Sequence, residues 1–195
     1  MSRKRVAVLI SGRGSNMAAL IEAAKAEDYP AEIALVISNI PGAGGLVTAE
    51  ANGIAAVTVD QKPFGRDREA FERAVQALLV EHRIDIVCLA GFMRILTPWL
   101  VGQWEWRMIN IHPSLLPAYK GLDTHARALA DGVTKHGATV HFVTPELDAG
   151  DVILQGEVDV LPGDTPETLA ARVLTVEHEI YPQALRMIAT EYKLI

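Results

Sequence analysis

Apolar runs of strand length alternate with segments of helical periodicity through the first half of the chain. Strands are predicted at 5–10, 32–38, 55–59, 84–90 and 108–111. Helices are predicted between them at 16–26, 45–52 and 67–82. Several of these strands are apolar throughout, which is typical of parallel strands covered on both faces. The alternation therefore predicts right-handed crossovers and a doubly wound parallel sheet.

The pattern changes from about residue 135 onward. Two apolar segments, 138–143 and 152–160, lie close together and predict an antiparallel strand pair. A long helix is predicted from Pro166 to about Thr190, with Thr165 as its cap and proline at the first helical position. We therefore expect a single α/β domain over 1–195: a Rossmann-like, mostly parallel sheet with an antiparallel C-terminal strand pair and a long C-terminal helix.

Composition narrows the functional classes. A net charge of -6 argues against nonspecific binding to nucleic acid, which requires clustered Lys and Arg. The single cysteine, Cys88, lies in an apolar run, so we expect a buried residue rather than a disulfide partner or a nucleophile. No apolar segment is long enough to span a membrane, and we expect a cytoplasmic protein. The chain has neither an H-E-x-x-H motif nor paired cysteines, so no metal site is expected.

A glycine-containing loop, 11–16, lies after the first predicted strand and opens the first helix. Its sequence is Ser-Gly-Arg-Gly-Ser-Asn. Glycines permit close approach of the backbone to a ligand, and a helix N-terminus attracts anions, so the loop suits one phosphomonoester. The dinucleotide fingerprint would require glycine where Met17 stands. A purely structural turn remains an alternative, as it does for the glycine cluster at 41–45, which could also be a connection into the next helix.

Two further segments lie directly after predicted strands. Residues 91–96 form an apolar loop that suits a flat heteroaromatic ring, although some of its side chains could simply pack a helix onto the sheet. In 110–117, Asn110 and His112 lie on one face at a strand end, and Pro113 and Pro117 stiffen the chain beyond them. The alternative is an amide that caps a turn and a histidine that packs beside a proline. Asp148 lies in a glycine-containing turn, where it is a candidate site carboxylate or a local backbone cap.

Together these motifs, in this order, resemble the phosphoribosylglycinamide formyltransferase family of purine biosynthesis, over essentially the whole chain. The resemblance implies 10-formyltetrahydrofolate as cosubstrate, glycinamide ribonucleotide as substrate and no metal. It implies catalytic residues Asn110, His112 and Asp148, and phosphate or ribose contacts from Gly14, Ser15, Asn16 and Glu177. It implies folate contacts from Arg68, Met93, Arg94, Ile95, Leu96 and Asn110. It assigns the phosphate and nucleotide side to about 1–100, and the catalytic and folate side to about 101–195.

Two positions modify the resemblance. Asp123 stands where some relatives have histidine, so an auxiliary role there is in doubt, and Arg13 is better interpreted as loop surface. His125 and His141 could approach the site, or could be a helix-face histidine and a strand histidine with satisfied hydrogen bonds. The resemblance is compatible with a homodimer.

The chemistry implied by the resemblance agrees with these residue types. Attack of an amine on a formyl carbon creates an oxyanion, which preorganised hydrogen-bond donors stabilise. The Asn110 amide and a protonated His112 are suitable donors, and a nearby Asp148 would favour the imidazolium form and help a water carry the proton.

Three rival functions stay open. A methionyl-tRNA formyltransferase is expected to carry a further C-terminal domain and a basic surface. A formyltetrahydrofolate hydrolase is expected to carry an N-terminal regulatory domain, whereas the first strand here begins near Arg5. A non-catalytic module that binds folate or nucleotide would bind ligand without turnover.

Overall fold

Within residues 3–191, which the computed structural model describes, seven strands form one sheet. Along the chain they are β1 (Lys4–Ile10), β2 (Ala31–Ser38), β3 (Ala55–Thr58), β4 (Ile86–Leu89), β5 (Met108–His112), β6 (Lys135–Phe142) and β7 (Val152–Asp159). Their spatial order is β3-β2-β1-β4-β5-β6-β7. The two residues before this part of the predicted domain and the four after it lie outside the described residues.

Six α-helices connect and cover these strands in the same part of the chain. They are α1 (Ser15–Ala24), α2 (Gly44–Ala51), α3 (Arg68–Glu81), α4 (Pro98–Gln103), α5 (Thr124–Ala130) and α6 (Pro166–Glu191). The short helices α4 and α5 were not predicted. Each spans no more than two turns, so neither gives a hydrophobic period long enough to distinguish from a loop.

The predicted fold class is confirmed. Strands β1 to β5 pair in parallel, whereas β6 runs antiparallel to both β5 and β7. The chain builds outward from β1 to β3 and then returns to add β4 on the other side of β1. This reversal of strand order between β1 and β4 is where ligands bind in open α/β sheets.

Two hydrophobic layers enclose the sheet, because successive side chains of a strand point to opposite faces. Val6, Val8 and Ile10 of β1 belong to the layer packed under α1 and α6. Ala7 and Leu9 belong to the layer packed under α3 and α4. Cys88 is buried in the first layer, as predicted, and burial raises the pKa of its thiol to about 12. It therefore remains a protonated, structural residue at neutral pH.

The C-terminal helix α6 is anchored to the strands that carry the candidate site. It begins as predicted, with the Thr165 hydroxyl accepting a hydrogen bond from Thr168 N at 3.3 Å. Further along, the fully buried Tyr181 donates from its hydroxyl to Leu89 O at 2.8 Å and to Ile109 O at 3.2 Å. One side chain thus links α6 to the last residue of β4 and to Ile109 of β5.

We predict that Tyr181→Phe lowers the free energy of unfolding by about 1–2 kcal/mol, since it removes a buried hydroxyl and leaves two carbonyl groups short of a donor. Urea denaturation measures this loss as a lower midpoint, with the dependence of the unfolding free energy on urea concentration unchanged. Tyr119→Phe is the matched control, because its hydroxyl contacts Asp131 at the surface, and we expect a change within about 0.5 kcal/mol. Equal losses in both variants would contradict the anchoring role of Tyr181.

Candidate active site

A cavity of about 750 Å³ opens at the carboxyl ends of β4 and β5, beside the reversal of strand order. Four stretches of chain line most of it: 91–96, 110–113, 121–125 and 143–148. Three further polar side chains also line the cavity: Asn16, His141 and Glu177. The cavity thus combines residues from both halves of the chain.

Asn110 is held by the strand next to it. It pairs with His141 across β5 and β6, and the two side chains meet at 3.2 Å between Asn110 Nδ2 and His141 Nε2. His141 Nδ1 contacts Phe142 O at 2.8 Å and must donate to it, because a carbonyl oxygen only accepts. His141 Nε2 is therefore the acceptor, and burial lowers the pKa of His141. The amide of Asn110 is oriented by a neutral imidazole and keeps a second N–H for another acceptor.

His112 lies between two acceptors. Its Nε2 donates to Tyr119 O at 2.9 Å, and its Nδ1 faces Asp148 Oδ2 at 3.4 Å. The side chains of His112 and Asp148 are both buried. Each ring nitrogen of His112 therefore faces an oxygen that can accept a hydrogen bond.

Asp148 occupies a turn whose backbone is in the left-handed region, with a φ of 47°. Its Oδ2 also accepts from Gly121 N at 2.9 Å, and its Oδ1 lies 3.8 Å from His141 Nε2. The carboxylate therefore joins the turn after β6 to the segment after β5. Tyr119 and Asp123, on the facing segment, also have positive φ values, of 56° each. Such clustering of uncommon backbone conformations is typical of functional sites.

The segment after His112 is fixed by hydrogen bonds as well as by its prolines. Thr139 on β6 donates from its hydroxyl to Ser114 O at 2.7 Å and accepts from Leu116 N at 3.1 Å. Gln155 on β7 donates to Leu116 O and to the Thr139 hydroxyl, each at 2.9 Å. The two antiparallel strands therefore hold the segment that follows β5.

The glycine loop after β1 brings only its last residue into the cavity. Asn16 Nδ2 donates to Glu177 Oε2 at 2.6 Å, and both residues are buried and line the cavity. Asn16 Oδ1 is buried without a hydrogen-bond partner in the described structure, and burial raises the pKa of Glu177. Gly14, with a φ of 71°, precedes α1 at the position where its first N–H groups are exposed, and Ser15 is exposed beside it. Gly14 and Ser15 border the cavity without lining it.

The second glycine cluster supports this loop. A Cβ atom on Gly45 would come within 2.4 Å of Ile10 Cδ1, and Gly45 N donates to Gly12 O at 3.1 Å. The glycine is needed because the start of α2 packs directly against the loop after β1. The cluster is therefore a packing contact at this position.

The apolar loop after β4 forms one wall of the cavity. Met93, Arg94, Ile95 and Leu96 all line it, and Met93 and Ile95 are exposed. Its backbone is tied to the glycine loop, since Met93 N donates to the Ser11 hydroxyl at 2.8 Å. Arg94 packs over the Phe71 ring, 4.6 Å from its centroid, and donates to Gln61 Oε1 at 3.0 Å.

Arg68 lies outside the cavity at the edge of this same loop. It is exposed, and its Nη1 reaches Ile95 O at 3.4 Å. The structure thus gathers Asn16, Met93–Leu96, Asn110, His112, Asp148 and Glu177 around one cavity, and leaves Gly14, Ser15 and Arg68 at its margin. The sequence did not identify the roles of Tyr119 O and Gly121 N. Backbone groups carry no residue-type signal. Of the two alternatives given for His125 and His141, the structure places both at the cavity, and the register of β6 sets His141 opposite Asn110.

His125, which lines the cavity, contacts a second histidine, His136. His136 Nε2 and His125 Nδ1 are 3.2 Å apart, and burial lowers the pKa of both, that of His136 to about 4. Within the described part of the chain, no cluster of three or more His, Cys, Asp or Glu side chains could hold a metal ion. None of the helices between residues 3 and 191 is long and apolar enough to cross a membrane.

Comparison with known proteins gives a consistent set of relatives. The chain matches the family described as Formyl transferase over residues 4–185. It is 47% identical over 184 residues to the phosphoribosylglycinamide formyltransferase of Escherichia coli K12, covering 94% of this chain and 86% of that protein. The crystal structure of phosphoribosylglycinamide formyltransferase from Brucella melitensis superposes with a TM-score of 0.93 at 51% identity, covering 99% of both chains.

Other relatives are much longer. The human trifunctional purine biosynthetic protein adenosine-3 is 49% identical over 188 residues, which is 96% of this chain. That match covers 18% of the human protein, so the chain spans about a fifth of the length of this relative.

We predict that acid destabilises the fold through the buried histidine pair. Because the pKa of His136 falls from its ordinary value of 6.5 to about 4 in the folded chain, its contribution to stability is complete above pH 6.5 and is lost as the pH falls towards 4. The free energy of unfolding, measured by urea denaturation across this range, should therefore decrease with falling pH. His136→Gln should flatten that dependence, and an unchanged slope would contradict the assignment.

Proposed function

The chain belongs to the formyl transferase family, and we propose that it transfers a formyl group from 10-formyltetrahydrofolate to the amine of glycinamide ribonucleotide, a step of purine biosynthesis. The relatives named phosphoribosylglycinamide formyltransferase support this assignment, because they match nearly the whole chain.

One observation carries the proposal. Asn110, His112 and Asp148 meet at a single cavity, and the buried Asn16–Glu177 pair lies at the same cavity. An oxyanion site beside polar groups suited to a ribose is what transfer to a nucleotide amine requires. The cavity volume of about 750 Å³ is within the range of sites for small ligands, and its apolar wall suits a flat pterin ring.

Asn110 is proposed to stabilise the oxyanion. As the amine attacks the formyl carbon, negative charge develops on the formyl oxygen, and donors that are already oriented lower the barrier without reorganising. The N–H of Asn110 that does not bind His141 is available for this oxygen. His112 supplies a second donor when its Nε2 exchanges the Tyr119 carbonyl for the oxyanion.

Asp148 is proposed to hold His112 in its protonated form and to assist proton transfer. The carboxylate faces His112 Nδ1 and already accepts from Gly121 N. The attacking nitrogen loses a proton as its bond to the formyl carbon forms, and the folate nitrogen gains one as its bond to that carbon breaks. A water near Asp148 can carry this proton, so no covalent enzyme intermediate is needed.

The binding roles are divided between the two sides of the cavity. Gly14, Ser15 and Asn16 are proposed to bind the phosphate at the start of α1, and Glu177 to accept from a ribose hydroxyl. Arg68 and residues 93–96 are proposed to bind the folate. No metal is required by this mechanism. The cytoplasmic location, the absence of a nucleic-acid partner, the possible homodimer and the division into two sides near residue 100 stay predictions.

The function is tested with the purified chain, glycinamide ribonucleotide and 10-formyltetrahydrofolate. We expect the folate absorbance to change as tetrahydrofolate is released, and mass spectrometry to show the nucleotide heavier by one formyl group. Release of formate without nucleotide would indicate a hydrolase, transfer to methionyl-tRNA would indicate the tRNA enzyme, and binding without turnover would indicate a non-catalytic module.

Substitution of the three catalytic residues tests the mechanism. Asn110→Ala should lower kcat about 100- to 1,000-fold, since it removes an oxyanion donor, and His112→Ala and Asp148→Asn should also lower kcat strongly. Stopped or continuous rate assays measure these losses. Asn52→Ala and Asp151→Asn, at exposed positions, are the matched controls and should keep full activity. Unchanged turnover in all three site variants would exclude this mechanism.

Glu177→Gln tests the binding of the nucleotide. The carboxylate accepts from Asn16, and loss of its charge weakens any hydrogen bond from a ribose hydroxyl, so KM for the nucleotide should rise about tenfold. KM for the folate should remain within about twofold, as measured by initial rates. Glu179→Gln, exposed on the same helix, is the control. A rise confined to the folate KM would contradict the assignment of Glu177 to nucleotide binding.

A further inference from the structure

Glu72, in the middle of α3, is a buried carboxylate that the mechanism does not use. Its exposure is 0%, compared with 9% for Asp148 and 8% for Glu177. Across residues 3–191, no Lys, Arg or His nitrogen lies within 4.0 Å of it. A buried charge without a cation is costly unless hydrogen bonds compensate it. The hydrogen bonds of Glu72 therefore indicate what it is for.

Both oxygens of Glu72 bind one residue. Thr97 N donates to Oε1 at 2.6 Å, and the Thr97 hydroxyl donates to Oε2. Thr97 is the residue before α4 and the last residue of the loop 91–97, whose first six residues line the cavity. The Glu72 carboxylate thus binds the residue at which the loop 91–97 ends and α4 begins.

The rest of the loop is held from other directions. Met93 N donates to the Ser11 hydroxyl, and Arg94 donates to Gln61. The only attachments of α3 to the loop through side-chain hydrogen bonds in the described structure are Arg68 to Ile95 O, at 3.4 Å and exposed, and Glu72 to Thr97. Of these two, the contact of Glu72 is the shorter and the buried one. Without it, the exposed contact of Arg68 would be the one side-chain hydrogen bond from α3 to the loop in the described structure, beside the packing of Arg94 over Phe71.

We propose that Glu72 is a positioning residue, which acts through Thr97 to fix the loop 91–97 in the conformation that binds the folate. Its two oxygens accept from a backbone N–H and a hydroxyl of the same residue, so they fix both the position and the orientation of Thr97. The proposal rests on the proposed function for the identity of the ligand, whereas the contact between Glu72 and Thr97 is a property of the fold.

The test compares Thr97→Val with Thr97→Ser. Valine keeps the shape of threonine but removes the hydroxyl, and leaves one oxygen of Glu72 unpaired in a buried site, whereas serine keeps the hydroxyl. In the valine variant we expect amides of 91–97 to exchange hydrogen about tenfold faster, as measured by mass spectrometry. KM for 10-formyltetrahydrofolate should rise about five- to twentyfold, with kcat and the nucleotide KM within about threefold. The serine variant should behave as the unsubstituted chain.

Val75→Ala is the control for general destabilisation. Val75 is fully buried on the same helix, so its truncation should lower the melting temperature without changing exchange in 91–97 or the folate KM. The proposal is overturned if Thr97→Val changes neither loop exchange nor the folate KM, if it raises both KM values equally, or if Val75→Ala reproduces its effects. An unsubstituted chain without transferase activity would refute the proposed function. The comparison of hydrogen exchange between the valine and serine variants would still show whether Glu72 fixes the loop 91–97 through Thr97.

Discussion

The antiparallel register of β5 against β6 is the constraint on which the candidate site depends. It places His141 opposite Asn110, and β6 continues into the turn that carries Asp148. A shift of β6 by one residue would turn its side chains to the other face of the sheet, and His141 would no longer face Asn110. This antiparallel pairing thus brings Asn110 together with His141 and Asp148, which lie far from it along the chain.

Contacts between distant elements hold the walls of the cavity together. On helix α6, Glu177 binds Asn16, while Tyr181 binds the last residue of β4 and the second residue of β5. Strands β6 and β7 hold the segment after His112 through Thr139 and Gln155. Preorganisation of this kind matters because donors that are already fixed need not reorganise when charge develops.

Burial has opposite consequences at different positions in this molecule. It lowers the pKa of His125, His136 and His141, so these rings remain neutral near His112, and it raises the pKa of Glu177. Oxygen atoms face both ring nitrogens of His112, and the neighbouring neutral rings add no positive charge beside it.

The sequence by itself determined the architecture and the residue types of the site. Apolar runs alternating with helical spacing are sufficient for a doubly wound sheet, and the polar residues that interrupt strand ends identified Asn110 and His112. The short helices α4 and α5 were missed because one or two turns carry too little periodicity. Only the tertiary structure decided the contact of His112 with Asp148, the partners Tyr119 O and Gly121 N, and the burial of Glu72 against Thr97. The physical reason is that backbone groups have no residue identity, and that register and burial are set by packing between segments far apart in the chain.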